Sequence, residues 1–155
     1  MNILIVYASI HHGNTKEIAE VINEELEGKV VSFTDVSPEE IKGADLVGIG
    51  SGIYLAKFHK GLLDLIKELP QMKNKKIFLF STAGIKQNIL LNRGHKSAKK
   101  ILKNKGFRIV GEFDCLGEDN YGPLKLIGGI NKGRPNKKDK ERAKNFAKKI
   151  KENEE

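Results

Sequence analysis

A chain of 155 residues has the length of a single domain over residues 1–155, long enough to bury roughly two thirds of its unfolded surface in one core. Its hydrophobic fraction is 39% and its charged fraction 31%, but the apolar residues come in blocks, which excludes global disorder. Cys115 is the single cysteine, so no intramolecular disulfide can form, and no tract reaches the roughly 18 apolar residues of a membrane-spanning helix. The expected setting is a reducing one, most simply the cytoplasm, without membrane insertion. The start, Asn2 to Tyr7, has no basic stretch before it and no small-residue cleavage site after it, so it reads as a strand rather than a signal peptide. The net charge of +8 is concentrated in one segment: residues 132 to 151 hold 10 Lys and Arg against two acids, and the remainder of the chain is neutral.

In chain order, residues 2 to 8 are nearly all apolar, as in a parallel strand buried on both faces, and Ile18, Val21, Ile22 and Leu26 then recur at helical spacing. Val30 to Phe33 predicts a short second strand, followed by a weak helix at Pro38 to Ile41. Leu46 to Gly50 predicts the third strand, and Leu62, Leu63, Ile66 and Leu69 share a helical face after it. Ile77 to Phe80 is the fourth strand. Ala98, Ile101 and Leu102 mark a fourth helix that ends at Lys105-Gly106, and Phe107 to Cys115 is the fifth strand. A stretch rich in Gly, Asn and Pro covers 116 to 136, after which Ala143, Phe146, Ala147 and Ile150 give the basic segment an amphipathic helical face. Five alternations of strand and helix predict right-handed crossovers and a parallel sheet covered on both sides. In such a sheet ligands bind beyond the C-terminal strand ends, where strand order reverses. That directs attention to residues 9–15, 51–60, 81–89 and 115–123.

Ser9, Ile10, His11, His12, Gly13, Asn14 and Thr15 lie directly between the first strand and the first helix. Short hydroxyl and amide side chains with a glycine, at a helix N-terminus with free N–H groups, suit a phosphate; equally, Asn14 or Thr15 could simply cap a helix. No G-x-x-x-x-G-K-[ST] occurs, and Gly48, Gly50 and Gly52 are followed by Ile53 where a dinucleotide fingerprint needs its third glycine. A P-loop NTPase and a dinucleotide fold of the usual type are both disfavoured.

Gly13-Asn14-Thr15 after Val6-Tyr7-Ala8-Ser9, together with Gly50-Ser51-Gly52-Ile53-Tyr54, closely resembles the flavodoxin family, and the resemblance runs on through Tyr121-Gly122-Pro123 to the last helix. It implies a flavodoxin-like three-layer α/β/α sandwich with a five-stranded parallel sheet of order 2-1-3-4-5, and FMN at the switch point; flavodoxin is the standard example of that arrangement. The resemblance places the FMN phosphate at Gly13, Asn14 and Thr15. Six steps separate Ser9 from Thr15 where the family's [ST]-x-T-G-x-T has five, so Ser9 is shifted, and His11 and His12 are either added phosphate donors or exposed loop residues. Ser51, Gly52, Ile53, Tyr54, Leu55 and Ala56 match the loop along one edge and face of the flavin, with Tyr54 the stacking candidate or a plain strand-end residue. Ser81, Thr82, Ala83 and Gly84 match the loop on the other side. No aromatic lies between Phe80 and Phe107, so Tyr121 substitutes for the usual shield or that face is left open.

No acid, base or nucleophile stands in a convincing catalytic arrangement: Cys115 reads as a half-buried small hydrophobe, and His59 as a surface residue near a helix start. The chemistry then belongs to the cofactor. Lys57 and Lys60, with His11, His12 and His59, are expected to border the flavin and raise its potential. One charge at about 10 Å through an effective dielectric of roughly 20 to 80 is worth ~0.4–1.7 kcal/mol, or about 20–70 mV for a one-electron couple. The leading expectation is a soluble FMN electron carrier serving redox partner proteins. The second is an FMN-dependent oxidoreductase, because the seven-residue first loop and Phe58-His59 are also similar to flavodoxin-type, quinone-dependent protoporphyrinogen oxidases; that family carries a late insert, whereas 107–115 is uninterrupted. The third is a basic-surface binding module without flavin chemistry. Ten cations would attract a phosphate backbone, but Phe146 is the one aromatic among residues 132–151, so a solvated helix face is favoured over nucleic acid.

Overall fold

The two-sided apolar run at the chain start forms β1 (Ile3–Ala8), whose side chains alternate between two apolar clusters: Leu4, Val6 and Ala8 in one, Ile3 and Ile5 in the other. A strand covered on both faces needs that pattern. The computed structural model describes residues 1–10, 13–84, 93–118 and 129–155. The chain continues through α1 (Asn14–Leu26), β2 (Lys29–Ser32), α2 (Pro38–Gly43), β3 (Leu46–Tyr54), β4 (Lys57–Phe58) and α3 (Lys60–Glu68). It ends with β5 (Lys76–Ala83), α4 (Arg93–Asn104), β6 (Arg108–Leu116) and α5 (Lys137–Glu154).

The sheet order is β2-β1-β3-β5-β6, and these pairings are all parallel. With the short β4 set aside this is the expected 2-1-3-4-5. Ile18, Ile22 and Leu26 of α1 and Ala143, Ala147 and Ile150 of α5 cover one face of the sheet. Ile41 of α2, Leu62 and Ile66 of α3, and Ala98 and Leu102 of α4 cover the other. Local chemistry agrees with each boundary. Ser37 and Glu40 close a capping box at α2, with Pro38 in the first turn; Asn136 and Asp139 do the same for α5.

One element is longer than its sequence pattern. β3 was expected to end at Gly50, with Ser51 to Ala56 as loop; instead it runs to Tyr54 and folds back antiparallel on β4, pairing Ile53 with Phe58 and Tyr54 with Lys57. The turn is Leu55-Ala56, both at positive φ (50° and 61°). A two-residue hairpin of this kind usually carries Asn or Gly, so the sequence held no turn signal.

The glycines of β3 have a packing role. Gly48 and Gly50 stand beside Phe78 and Phe80 on β5, and a Cβ on either would come within 2.3 Å and 2.1 Å of the phenyl rings. They are spaces for aromatic rings rather than part of a phosphate loop.

The basic helix is not simply solvated. Lys140, Lys144 and Lys151 of α5 reach Glu17 (2.5 Å), Glu24 (2.8 Å) and Glu27 (3.6 Å) on or beside α1. Exposed pairs like these contribute little and weaken with salt, but they spend part of the positive charge inside the molecule. At the start of α5 the buried carboxylate of Asp139 takes two hydrogen bonds from Arg134 (2.5 and 2.8 Å) and one from the Asn136 amide (2.8 Å). Burial pushes the Asp139 carboxyl up, and these bonds outweigh it and hold it low. Among the described residues no helix is long and apolar enough to cross a membrane.

Candidate functional site

β1, β3 and β5 run parallel, so their C-terminal ends meet at one edge of the sheet. There a cavity of about 500 Å³ opens between the start of α1, the β3–β4 hairpin, the end of β5 and the residues after β6. Ligand pockets usually fall within roughly 300–1,000 Å³.

Its first wall is the N-terminus of α1. Gly13 is the N-cap at φ 69°, and among the described residues no side chain closes the cap. Nothing lies within 4 Å of where its Cβ would stand, so the glycine is required for the left-handed backbone and not for room. The Glu17 amide donates to the Gly13 carbonyl (3.0 Å); the amides of the turn before it have no intrahelical acceptor, which leaves positive N–H ends at the cavity. Ser9, like Gly13, does not line the cavity; its hydroxyl is buried just before Ile10, which does, and has no hydrogen-bond partner among the described residues. Asn14 and Thr15 line the cavity, but their side chains also hold the fold: Asn14 Nδ2 donates to the Glu118 carbonyl (2.9 Å), and the Thr15 hydroxyl pairs with that of Thr82 (2.8 Å).

The hairpin forms the second wall. Gly52, Ile53 and Tyr54 line the cavity, and the Tyr54 ring stands edge-on to His59 at 5.7 Å. Ser51 does not line it. Its hydroxyl is fully buried, donates to the Gly52 carbonyl (2.6 Å) and accepts from the His59 amide (2.8 Å). Leu55 and Ala56 form the exposed turn at the hairpin tip.

The third wall is the end of β5, where Thr82, Ala83 and Gly84 line the cavity. These residues were expected in a loop; Ser81 to Ala83 are strand, in register with Asp114, Cys115 and Leu116. Ser81 is fully buried behind that wall. Of the other sequence-predicted residues, His11, His12 and Tyr121 lie outside the described residues.

Of the residues expected at the rim, His59 and Lys60 line the cavity and Lys57 does not; Glu118, Asn131 and His95 were not singled out from sequence. His59 lines the cavity and caps α3, its Nδ1 accepting from the Gly61 amide (3.0 Å). Lys60 also lines it, paired with Asp64 at 2.9 Å, and the acidic residue Glu118 lines the same cavity. The expected cationic rim is therefore diluted. Asn131 Nδ2 donates to the carbonyls of Gly84 (2.7 Å) and Gly117 (3.3 Å), fastening two walls together. Behind Ser81, His95 joins Ser81 Oγ (2.7 Å) to Glu112 (2.9 Å), whose other oxygen accepts from Lys99 (2.9 Å). Burial pushes the His95 imidazole below its ordinary value, and Glu112 only partly reverses this. Burial likewise pushes the Cys115 thiol up to about 12, as befits a core residue.

Comparison with known proteins agrees with this geometry. The flavodoxin domain profile matches residues 4–117. An uncharacterized protein of Methanocaldococcus jannaschii is 46% identical over 153 residues, covering 99% of this chain and 100% of that protein. Among solved structures, a flavodoxin from the domain Archaea aligns with a TM-score of 0.65 at 22% identity, over 99% of this chain and 98% of its own. A flavodoxin of Streptococcus pneumoniae aligns with a TM-score of 0.73 at 17% identity, over 99% of both chains. With a domain match that spans all the cavity-forming strands and a sheet of the same order, the chain belongs to the flavodoxin family.

Proposed function

We propose that this chain binds FMN in the cavity above β1, β3 and β5 and carries electrons between redox partner proteins. The observation that carries the reading is the N-terminus of α1, which no described side chain caps, beside the buried Ser9 hydroxyl that has no partner among the described residues, at the sheet's switch point. A dianionic phosphate satisfies both features. In this reading Ser9, Gly13, Asn14 and Thr15 hold the phosphate, the last two chiefly through backbone amides, with His11 and His12 flanking it. Gly52, Ile53 and Tyr54 take one side of the ring and Thr82, Ala83 and Gly84 the other, with Tyr121 as outer cover. Ser51 and Ser81 support those walls from behind, and Leu55 and Ala56 shape the tip. When bound, FMN supplies the redox chemistry.

The protein's own residues bind, orient and set the electrostatics. Ile10, Ile53 and Ala83 give the cavity apolar surface that excludes water and strengthens nearby charge interactions. Lys60 favours added negative charge on a ligand, while Asp64 and Glu118 oppose it, so the potential is raised less than a lysine-only rim would raise it. The test is the visible spectrum of protein incubated with FMN and freed of excess, followed by stepwise anaerobic reduction. One bound flavin per chain, reduced in two separated one-electron steps, is the expected result. Reduction in a single two-electron step, with turnover of a quinone or protoporphyrinogen, would replace the carrier by an oxidoreductase. A colourless protein would refute FMN binding and leave the charge of α5 as the feature to test, by a salt-dependent shift of duplex DNA.

A further inference from the structure

The Ser81–His95–Glu112 chain has the bond order of a hydrolytic triad, at 2.7 Å and 2.9 Å. It cannot work as one, because Ser81 is fully buried and no carbonyl carbon can approach its oxygen. Its place in the fold points elsewhere. A carboxylate only accepts, so Nδ1 of neutral His95 carries the proton toward Glu112, Nε2 is an acceptor, and the Ser81 hydroxyl donates to it.

The residue after Ser81 is Thr82, where the cavity wall begins, and each residue of that wall is fastened to a different element. Thr82 bonds Thr15 of α1, the Ala83 carbonyl accepts from the Gly117 amide (3.0 Å), and the Gly84 carbonyl accepts from Asn131. Ser81 supplies the remaining tie, to α4, and it is the one that passes through an imidazole, which burial holds below its ordinary value.

We propose that His95 is a positioning residue for the cavity: through Ser81 it fixes the end of β5, and the fixation is firmest while the imidazole is neutral and accepts the Ser81 hydroxyl hydrogen. This rests on the proposed ligand reading for its effect on binding, but not for its effect on the wall. A second proton would make Nε2 a donor and turn the Ser81 hydroxyl hydrogen away, into a space with no exposure to water, where an unmet polar group is costly. The groups that act on the imidazole are Glu112 and Asp114 from β6 and Lys99 from α4. β4 offers the Phe58 ring, edge-on at 5.2 Å. α3 brings Leu62, Leu63 and Ile66 to the shared apolar cluster.

Two variants test the proposal. Ser81→Ala removes the hydroxyl without adding bulk, and His95→Gln keeps a neutral acceptor and donor in place of the titrating ring. Amide protection factors at Thr82, Ala83 and Gly84 are measured in ligand-free protein from about pH 8 to about pH 5, and FMN affinity is measured alongside. The expected result is a loss of protection in the wild-type chain on acidification, of about fivefold for one hydrogen bond. Ser81→Ala should show that loss at every pH, with FMN binding weakened by a similar factor, and His95→Gln should keep the neutral-pH protection and lose the acid response. Unchanged protection at these three amides in a folded Ser81→Ala, or an undiminished acid response in His95→Gln, would overturn the proposal. If the wild-type chain takes no FMN, the ligand reading fails by itself, and the protection factors still decide whether His95 holds the wall.

Discussion

Replacing Gly50 by Ala should destabilise the fold by far more than one methyl group suggests. The added Cβ would stand 2.1 Å from two atoms of the Phe80 ring, whereas ordinary contact begins at 3.4 Å. The ring is fully buried and stands 6.2 Å from that of Phe78, so it has no free direction in which to retreat. Overpacking of a tight core typically costs about 1–3 kcal/mol, which at ~2–4 °C per kcal/mol for a chain of this size lowers Tm by roughly 2–12 °C. The control is Gly43→Ala: nothing lies within 4 Å of the new Cβ there, so its effect should stay within about 0.5 kcal/mol. Urea unfolding followed by far-UV circular dichroism reads both, with the slope m checked for constancy. Combining Gly50→Ala with Phe80→Leu frees the clashing ring atoms, and the double variant should be more stable than the sum of the two effects by ~1 kcal/mol or more. A Gly50→Ala protein as stable as wild type, or a strictly additive double variant, would refute the account of these glycines as spaces for aromatic rings.

Other consequences follow from the charged and polar groups. Burial lowers the His95 imidazole, so below pH 6.5 the unfolded chain takes up a proton more readily than the folded chain; stability should fall as pH drops below that value, and His95→Gln should flatten the fall in acid-induced unfolding curves. Glu112, which burial raises but Lys99 and His95 hold low, adds a loss only below its ordinary 4.5, so the two windows separate. Cys115, buried and with its thiol pushed up to about 12, should resist iodoacetamide at mildly alkaline pH in the native state and react readily in urea, as mass spectrometry would show; rapid native labelling would contradict its place in the core. If FMN is bound, Lys60→Glu should move the potential downward by ~40 mV, the low end for two charge units since the side chain is exposed and already paired with Asp64; an upward shift or none in potentiometric titration would remove Lys60 from the rim.

Strand and helix order was legible because burial on both faces writes continuous apolar runs, and covering helices write their own period. Ile3 to Val6 and the Ala143–Ile150 face leave little choice. The first wall of the cavity was legible for a related reason, since a glycine between a strand and a helix has few other uses. What remained hidden is long-range. Nothing near Ser81 in sequence announces that its hydroxyl meets His95, or that Asn131 fastens Gly84 to Gly117. The hairpin was missed because Leu55 and Ala56 adopt positive φ without the residues that usually mark it, and Lys140, Lys144 and Lys151 of α5 read as a solvated face because their partners lie on or beside α1, more than a hundred residues earlier.

These ties make the two sides of the cavity unequal. The β5 side is central in the sheet, paired on both edges, and four successive residues are fastened to α4, α1, Gly117 and Asn131. Strand alternation makes this possible, because Ser81 points into one helical layer and Thr82 into the other. The hairpin side hangs from an exposed two-residue turn, and its partner strand is only two residues long. Local opening free energy follows buried contacts and protected hydrogen bonds, so a planar ligand of the proposed kind would meet a fixed wall on one side and an adaptable one on the other. Position would then be set by β5 and closeness of fit by Tyr54 and its turn.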